Sequence, residues 1–285
     1  MANKFYNILV PVDFTKKNQW AIAKAIELAN HIRCNIHLVH IVSKPLFRFL
    51  PFETTSSMPY DTSFDLKKGR EKLVALRDQY REHLCEGCEI EISIIQGRPQ
   101  KELSNYINQY SMDLVVMGLS KFNFVQRLLS SLSISSLARK TNIPVLAVRS
   151  SGLVSHFKKI VLPLNEQIPI RRIKLAAMLA RQFKSTVYLV SLRKDISGEN
   201  NVLDKTLEVI QSLSTIPVQC FMLEGKNLAQ STLEFSKRIN ADLIMINPIK
   251  EFRLPGLWNK ITKKLLSYES KIPVLTVEQG AGDNK

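Results

Sequence analysis

Short apolar runs alternate with longer amphipathic stretches along this chain. Asn7-Ile8-Leu9-Val10-Pro11-Val12 is an apolar run closed by Asp13. Thr15 then stands as an N-cap before Ala21, Ile22, Ala25, Ile26 and Leu28, which share one face of a helix. Residues 36–42 are rich in β-branched side chains and predict a second strand, carrying His37 and His40. After a Pro- and Ser-rich stretch over residues 43–62, a polar helix is predicted from Ser63 through Leu73 and Tyr80 to about Leu84, with Gly87 ending it. Residues 89–95 alternate as a strand, and Pro99 opens a helix bearing Leu103, Tyr106 and Ile107. Residues 114–117, Gly118, a helical pattern and the run Pro144-Val145-Leu146-Ala147-Val148 then read strand, loop, helix, strand, a parallel crossover.

That crossover occurs twice. Asp242-Leu243-Ile244-Met245-Ile246 restates Asp113-Leu114-Val115-Val116-Met117, and Lys271-Ile272-Pro273-Val274-Leu275-Thr276-Val277 restates Asn142-Ile143-Pro144-Val145-Leu146-Ala147-Val148, at the same spacing. Lys159-Ile160-Val161-Leu162-Pro163-Leu164-Asn165 likewise repeats the first strand, after the polar linker Ser150-Ser151-Gly152. The second copy is the shorter one, and it lacks the Pro- and Ser-rich stretch. The pattern predicts an α/β chain of two tandem, doubly wound, mainly parallel five-stranded sheets with helices on both faces, with domains over residues 1–150 and 151–285. Both final strands are apolar save for Thr276, so they are expected at a mutual interface that makes the chain an intramolecular pseudo-dimer.

Composition changes this picture little. The formal charge of +15 would fit nucleic acid or an anionic surface, but it is shared evenly, as +7 over residues 1–150 and +8 over residues 151–285, with no basic tail. That distribution argues against nucleic-acid recognition. No apolar run is long enough to span a membrane and no signal-peptide core opens the chain, which predicts a cytoplasmic protein with no membrane contact. Four cysteines suit a reducing compartment. Cys85-Glu86-Gly87-Cys88, beside His83, has the spacing of a metal or redox pair, but no second such pair completes a zinc site, and a thioredoxin-like pair would open a helix after a strand where this one ends a helix, so neither a metal nor a dithiol role is expected.

Taken together, the run ending in Asp13, Leu38-Val39-His40-Ile41, Gly97-Arg98-Pro99, the run ending in Gly118 and the run Ile143-Pro144-Val145-Leu146-Ala147-Val148 resemble the universal stress protein family, in a tandem member whose two copies cover nearly the whole length. The resemblance implies an adenine-nucleotide alpha-hydrolase-like fold and a stress-response role. It also implies a nucleotide site in the first copy. Candidate residues there are Pro11, Val12 and Asp13, Val39 for backbone contacts, and Met117, Gly118, Lys121, Arg127, Ser130 and Ser131 around the phosphates. In nucleotide-binding members the phosphate loop follows G-x2-G-x9-G-[ST]. Here Gly118 fills the first position, while Lys121 and Ser131-Leu132 replace the others. A Cβ at such positions obstructs close backbone approach, which predicts weak or absent binding of ATP or another adenine nucleotide. In the second copy Asn165 replaces the acid and Asn247-Pro248 replaces the glycine, predicting no nucleotide.

Several residues carry two readings. Asp13 either receives ligand hydrogens or caps the following turn. Lys121 and Arg127, with Ser130 and Ser131, either bind an anion or form a solvated basic loop, and Phe122 and Phe124 favour packing. His37 and His40 lack a nucleophile and an acid in any recognisable arrangement, and no catalytic triad, HExxH or intact Walker loop is present. The expected function is therefore ligand sensing or partner binding without catalysis. The alternatives are an adenine-nucleotide binder with weak hydrolase activity and a basic protein associated with nucleic acid. A homodimer is the family's further implied assembly, and no motif identifies a protein partner.

Overall fold

The computed structural model describes residues 5–43, 63–119, 134–149, 156–165, 167–193, 201–247 and 271–277. The first half runs β1 (Asn7–Val12), α1 (Lys16–Ile32), β2 (Asn35–Val42), α2 (Ser63–Arg81), β3 (Ile90–Gln96), α3 (Pro99–Gln109), β4 (Leu114–Gly118), α4 (Ile134–Thr141) and β5 (Val145–Val148). The second runs β6 (Lys159–Pro163), α5 (Ile170–Phe183), β7 (Thr186–Leu192), α6 (Asn201–Leu213), β8 (Val218–Leu223), α7 (Leu228–Arg238), β9 (Leu243–Ile246) and β10 (Val274–Thr276).

The strands form one sheet in the order β3-β2-β1-β4-β5-β10-β9-β6-β7-β8. Every pairing is parallel except β5 with β10, where Val274, Leu275 and Thr276 oppose Ala147, Leu146 and Val145. Each half is thus a parallel, doubly wound unit, and the two apolar final strands close each other's edges. On one face a single core runs across both halves. Ile8, Val10, Leu38, Leu114 and Leu146 meet α1 and α2, and the core continues to Leu162, Leu189 and Met245 under α5 and α6. On the other face each half keeps its own core, Leu9, Val39, Val115 and Val145 under α3 and α4, and Val161, Val190 and Ile244 under α7. Alternation along each strand produces this division, since successive side chains point to opposite faces.

The repeated aspartates tie the strands at their amino ends. The Asp113 carboxylate accepts from the backbone N–H groups of Tyr6 and Asn7, at 2.8 and 3.0 Å. Asp242 accepts from Lys159 N–H at 2.9 Å in the second half. Gly87 does not end α2 as expected. The helix stops at Arg81, where Tyr80 and Arg81 carbonyls accept from His83 and Leu84 N–H three residues on, a tightened last turn, and Gly87 belongs to a separate turn beyond it. Among the described residues, no helix is long and apolar enough to cross a membrane. The Pro- and Ser-rich stretch, apart from Ser43, and the linker Ser150-Ser151-Gly152 lie outside the described residues.

Candidate functional site

The sheet order reverses between β1 and β4. The chain leaves β1 toward α1 and β2 on one side, and leaves β4 toward α4 and β5 on the other, so the crevice at their carboxyl ends is the topological switch point of the first half. Pro11, Val12, Met117 and Gly118 lie at these two strand ends, with Asp13 just beyond β1, and Val39 is the pairing partner of Pro11 on β2. Val12 and Val39 are buried, Pro11, Met117 and Gly118 are half-buried, and Asp13 is exposed. Lys121, Arg127, Ser130 and Ser131 lie outside the described residues, as do Phe122, Phe124 and Leu132.

The turn from β1 into α1 is bonded to itself. Asp13 Oδ1 accepts from the Thr15 N–H at 3.1 Å and from its hydroxyl at 2.6 Å, and Lys17 Nζ stands 2.5 Å from Asp13 Oδ2. Burial alone would raise this carboxyl, but the hydrogen bonds from Lys17 and Thr15 and the Lys17 charge outweigh it and hold the group below its ordinary value. Beneath it Asn18, 4% exposed, accepts from Asp13 N–H at 2.8 Å and Thr15 N–H at 3.1 Å and donates to the Pro11 carbonyl at 3.0 Å. Asn18 is the residue that sequence reasoning missed. Its one signal is a short amide side chain in the first turn of α1, within reach of the strand exit.

Phe14 takes a left-handed backbone, φ +59°, a conformation uncommon outside glycine, asparagine and aspartate. Its ring lies 4.5 Å from that of His40, and Lys72 Nζ lies 5.2 Å from the Phe14 ring. His40 donates through Nδ1 to the Val12 carbonyl at 2.7 Å. On the far face of the sheet, His37 is 3.0 Å from the Tyr106 hydroxyl, which also meets Ser93 at 3.0 Å. Burial pushes His37 down, with Glu91 at 3.6 Å opposing. The two histidines therefore belong to different faces and do not converge.

Gly118 is constrained by the same turn. A Cβ placed on it would sit 1.9 Å from the Lys17 carbonyl oxygen and 2.6 Å from the carbonyl carbon. The first turn of α1 lies against the end of β4, and it fills the space in which a side chain would stand.

In the second half the corresponding proline carbonyl, Pro163, accepts from the buried Arg172 guanidinium at 3.1 Å. Asn165 is half-buried and Asn247 buried, while Pro248 and Lys250 lie outside the described residues. Among the described residues no group of three His, Cys, Asp or Glu side chains is placed to hold a metal ion.

The model of the universal stress protein family matches residues 4–149. A universal stress protein of Methanocaldococcus jannaschii is 23% identical over 147 residues, spanning 52% of this chain and 84% of that protein. A putative universal stress protein of Staphylococcus aureus is 25% identical over 160 residues, spanning 54% and 90%. The crystal structure of a universal stress protein from Archaeoglobus fulgidus superimposes with a TM-score of 0.72 at 14% identity, covering 96% of this chain and 98% of that one. With the doubly wound sheet and its switch point, the match across half of the sequence means that the chain belongs to the universal stress protein family.

Proposed function

We propose that this chain is a non-catalytic stress-response protein of the cytoplasm that works by ligand sensing or partner binding, with a weakened adenine-nucleotide site at the first switch point and none at the second. The observation that carries the reading is the self-satisfied turn at Asp13. Its carboxylate is already engaged by Thr15 and Lys17, which take three of its roughly four acceptor sites, so a ligand hydroxyl or amine competes with them. The sequence also lacks two of the three glycines of the family's phosphate loop. Losing two backbone contacts at about 1 kcal/mol each weakens ATP affinity about thirtyfold. At the second switch point, Arg172 donates to the Pro163 carbonyl, and an asparagine stands in place of the acid. The β5–β10 pairing supports the companion reading that the two halves act as one pseudo-dimeric body.

Calorimetry on the purified chain with ATP, ADP and AMP tests the reading, with phosphate release measured alongside. Weak or no binding without turnover supports it. A tight one-to-one ATP complex abolished by Asp13→Ala overturns it, and phosphate release lost in the same variant would establish the hydrolase alternative instead.

A further inference from the structure

At the opposite end of the sheet, where β2 and β3 begin, the turn after α2 holds two thiols in contact. Cys85 Sγ and Cys88 Sγ lie 3.4 Å apart. The turn sets that spacing. Cys88 N–H donates to the Cys85 carbonyl at 3.2 Å, and Gly87, the third residue, has φ +81° with nothing within 4 Å of where its Cβ would be. The turn conformation therefore requires this glycine, since packing does not. A four-residue turn keeps its end Cα atoms within about 7 Å, inside the span that a disulfide accepts.

The end of α1 holds the turn in place. Asn30 accepts from Cys85 N–H at 2.7 Å and donates to the His83 carbonyl at 2.9 Å, and Arg33 donates to the Glu86 carbonyl at 2.9 Å. Asn35 accepts from Glu89 N–H at 3.1 Å on the far side. Closing a disulfide needs the sulfur atoms to approach from 3.4 Å to about 2 Å, a matter of side-chain torsion.

Cys88 also forms part of the wall of a cavity of about 710 Å³. Arg77, Arg81 and Glu89 share that wall, and Arg77 is engaged with Asp78 at 2.9 Å. The surface beside the thiol thus carries both a guanidinium, Arg81, and a carboxylate, Glu89.

We propose that Cys85 and Cys88 are a reversible dithiol–disulfide pair, and that the adjoining cavity takes a small zwitterionic disulfide, one bearing both carboxylate and ammonium groups, as the exchange partner. Arg81 receives the carboxylate and Glu89 the ammonium. Cys88, as thiolate, attacks one sulfur of the bound disulfide and expels the other as a thiolate, leaving a mixed disulfide. Cys85, as thiolate, then attacks the Cys88 sulfur and expels the second small thiolate. The two thiol protons of the protein end on the two released thiols, so the protein loses two electrons and the small disulfide gains them.

Burial and the neighbouring Cys85 raise the Cys88 thiol above its ordinary value, with Arg33 opposing. The charged groups around it are Arg33 just past α1, Arg77 and Arg81 from α2, and Glu89 from the turn. A raised thiol has a smaller thiolate fraction, so the exchange is expected to quicken as the pH rises.

The test uses the full reduced chain, incubated with oxidised glutathione or, separately, with the neutral bis(2-hydroxyethyl) disulfide, and read by mass spectrometry of the peptide containing Cys85 and Cys88. The expected result is loss of two hydrogens on that peptide, with Cys220, exposed and apart, forming only a mixed disulfide. Cys85→Ser should trap the mixed disulfide on Cys88. An Arg81 contact to carboxylate predicts that oxidised glutathione reacts about tenfold faster than the neutral reagent, and that Arg81→Ala abolishes the difference. Persistence of two free thiols while Cys220 reacts overturns the redox pair. Equal rates for both reagents in the parent chain overturn the zwitterionic site. Circular dichroism of each variant distinguishes either result from loss of fold.

Discussion

Replacing Gly118 with alanine separates two reasons for a glycine at the end of β4. A glycine kept for phosphate approach tolerates a methyl group in the unliganded protein and reveals the substitution only in ligand affinity. A glycine kept for packing shows the cost in stability. The added Cβ would stand 1.9 Å from the Lys17 carbonyl oxygen and 2.6 Å from its carbon, where van der Waals contact begins near 3.4 Å. The obstacle is backbone, in the first turn of a 17-residue helix whose inner face is packed across the shared core, so it cannot swing aside as a side-chain end would. Relief requires α1 to shift by about an ångström or more, which breaks the Asn18 and Asp13 bonds at its start. Overpacking of this kind costs about 3 kcal/mol. For a chain of 285 residues unfolding as one unit, that lowers the thermal midpoint by about 5 °C. Differential scanning calorimetry of Gly118→Ala beside the parent chain measures it. A variant that melts within a degree of the parent would refute the packing argument and return Gly118 to a ligand-binding role.

Asp113→Ala removes the acceptor shared by the N–H groups of Tyr6 and Asn7 and should cost about 2 kcal/mol, while Asp242→Ala, with one such bond, should cost about 1 kcal/mol; urea unfolding reads both. Because burial lowers His37 from 6.5, the unfolded chain binds more protons just below that pH. Its contribution to stability is therefore complete above pH 6.5 and is lost as the pH falls toward the folded value, and His37→Phe should flatten that slope in thermal melts between pH 7.5 and pH 5. Lys24 is fully buried, its Nζ 2.6 Å from Glu27 and 5.0 Å from the Phe157 ring in the segment leading to β6. Lys24→Met should cost about 3 kcal/mol by leaving Glu27 with His156 alone, 3.4 Å from its other oxygen, and adding Glu27→Leu should recover most of that; equal stabilities of the single and double variants would count against a coupled pair.

The element order was legible because strand and helix have different apolar periods, and the repeat tested every assignment twice. The end of α2 was not. Residues 82–88 mix polar and apolar side chains around a glycine, a composition that serves equally for a helix C-cap and for an independent turn, and the tightened bonds at Tyr80 and Arg81 with those from Asn30 and Arg33 decide between them. The pairing of β5 with β10 was legible as an apolar edge needing cover, whereas its antiparallel direction depends on how two whole units face each other. At the switch point, the positions of the strand ends and of Asp13 could be read because an acid directly after a buried strand stands out. Asn18 was not, because its partners are main-chain atoms, and a sequence records no main-chain geometry.

Comparison of the two halves shows what the fold itself requires at each strand exit. The carbonyl of the proline in the first strand, Pro11 or Pro163, faces the start of the next helix, and a buried carbonyl needs a donor. The first half supplies the Asn18 amide and the second the Arg172 guanidinium. The two donors have different lengths and charges, so the requirement is for a hydrogen-bond donor and not for a particular residue. At the strand starts the halves agree, with Asp113 and Asp242 each receiving main-chain N–H groups from the adjoining strand, because an acceptor there must reach a fixed ladder position. Assembly of the sheet thus accounts for the features common to both copies, the aspartates, the prolines and the apolar final strands. The acid after the first strand and the glycine ending the fourth are present in one copy alone, so the doubly wound sheet does not depend on the acid, and it needs the glycine only where a helix turn lies as close as Lys17 does to Gly118.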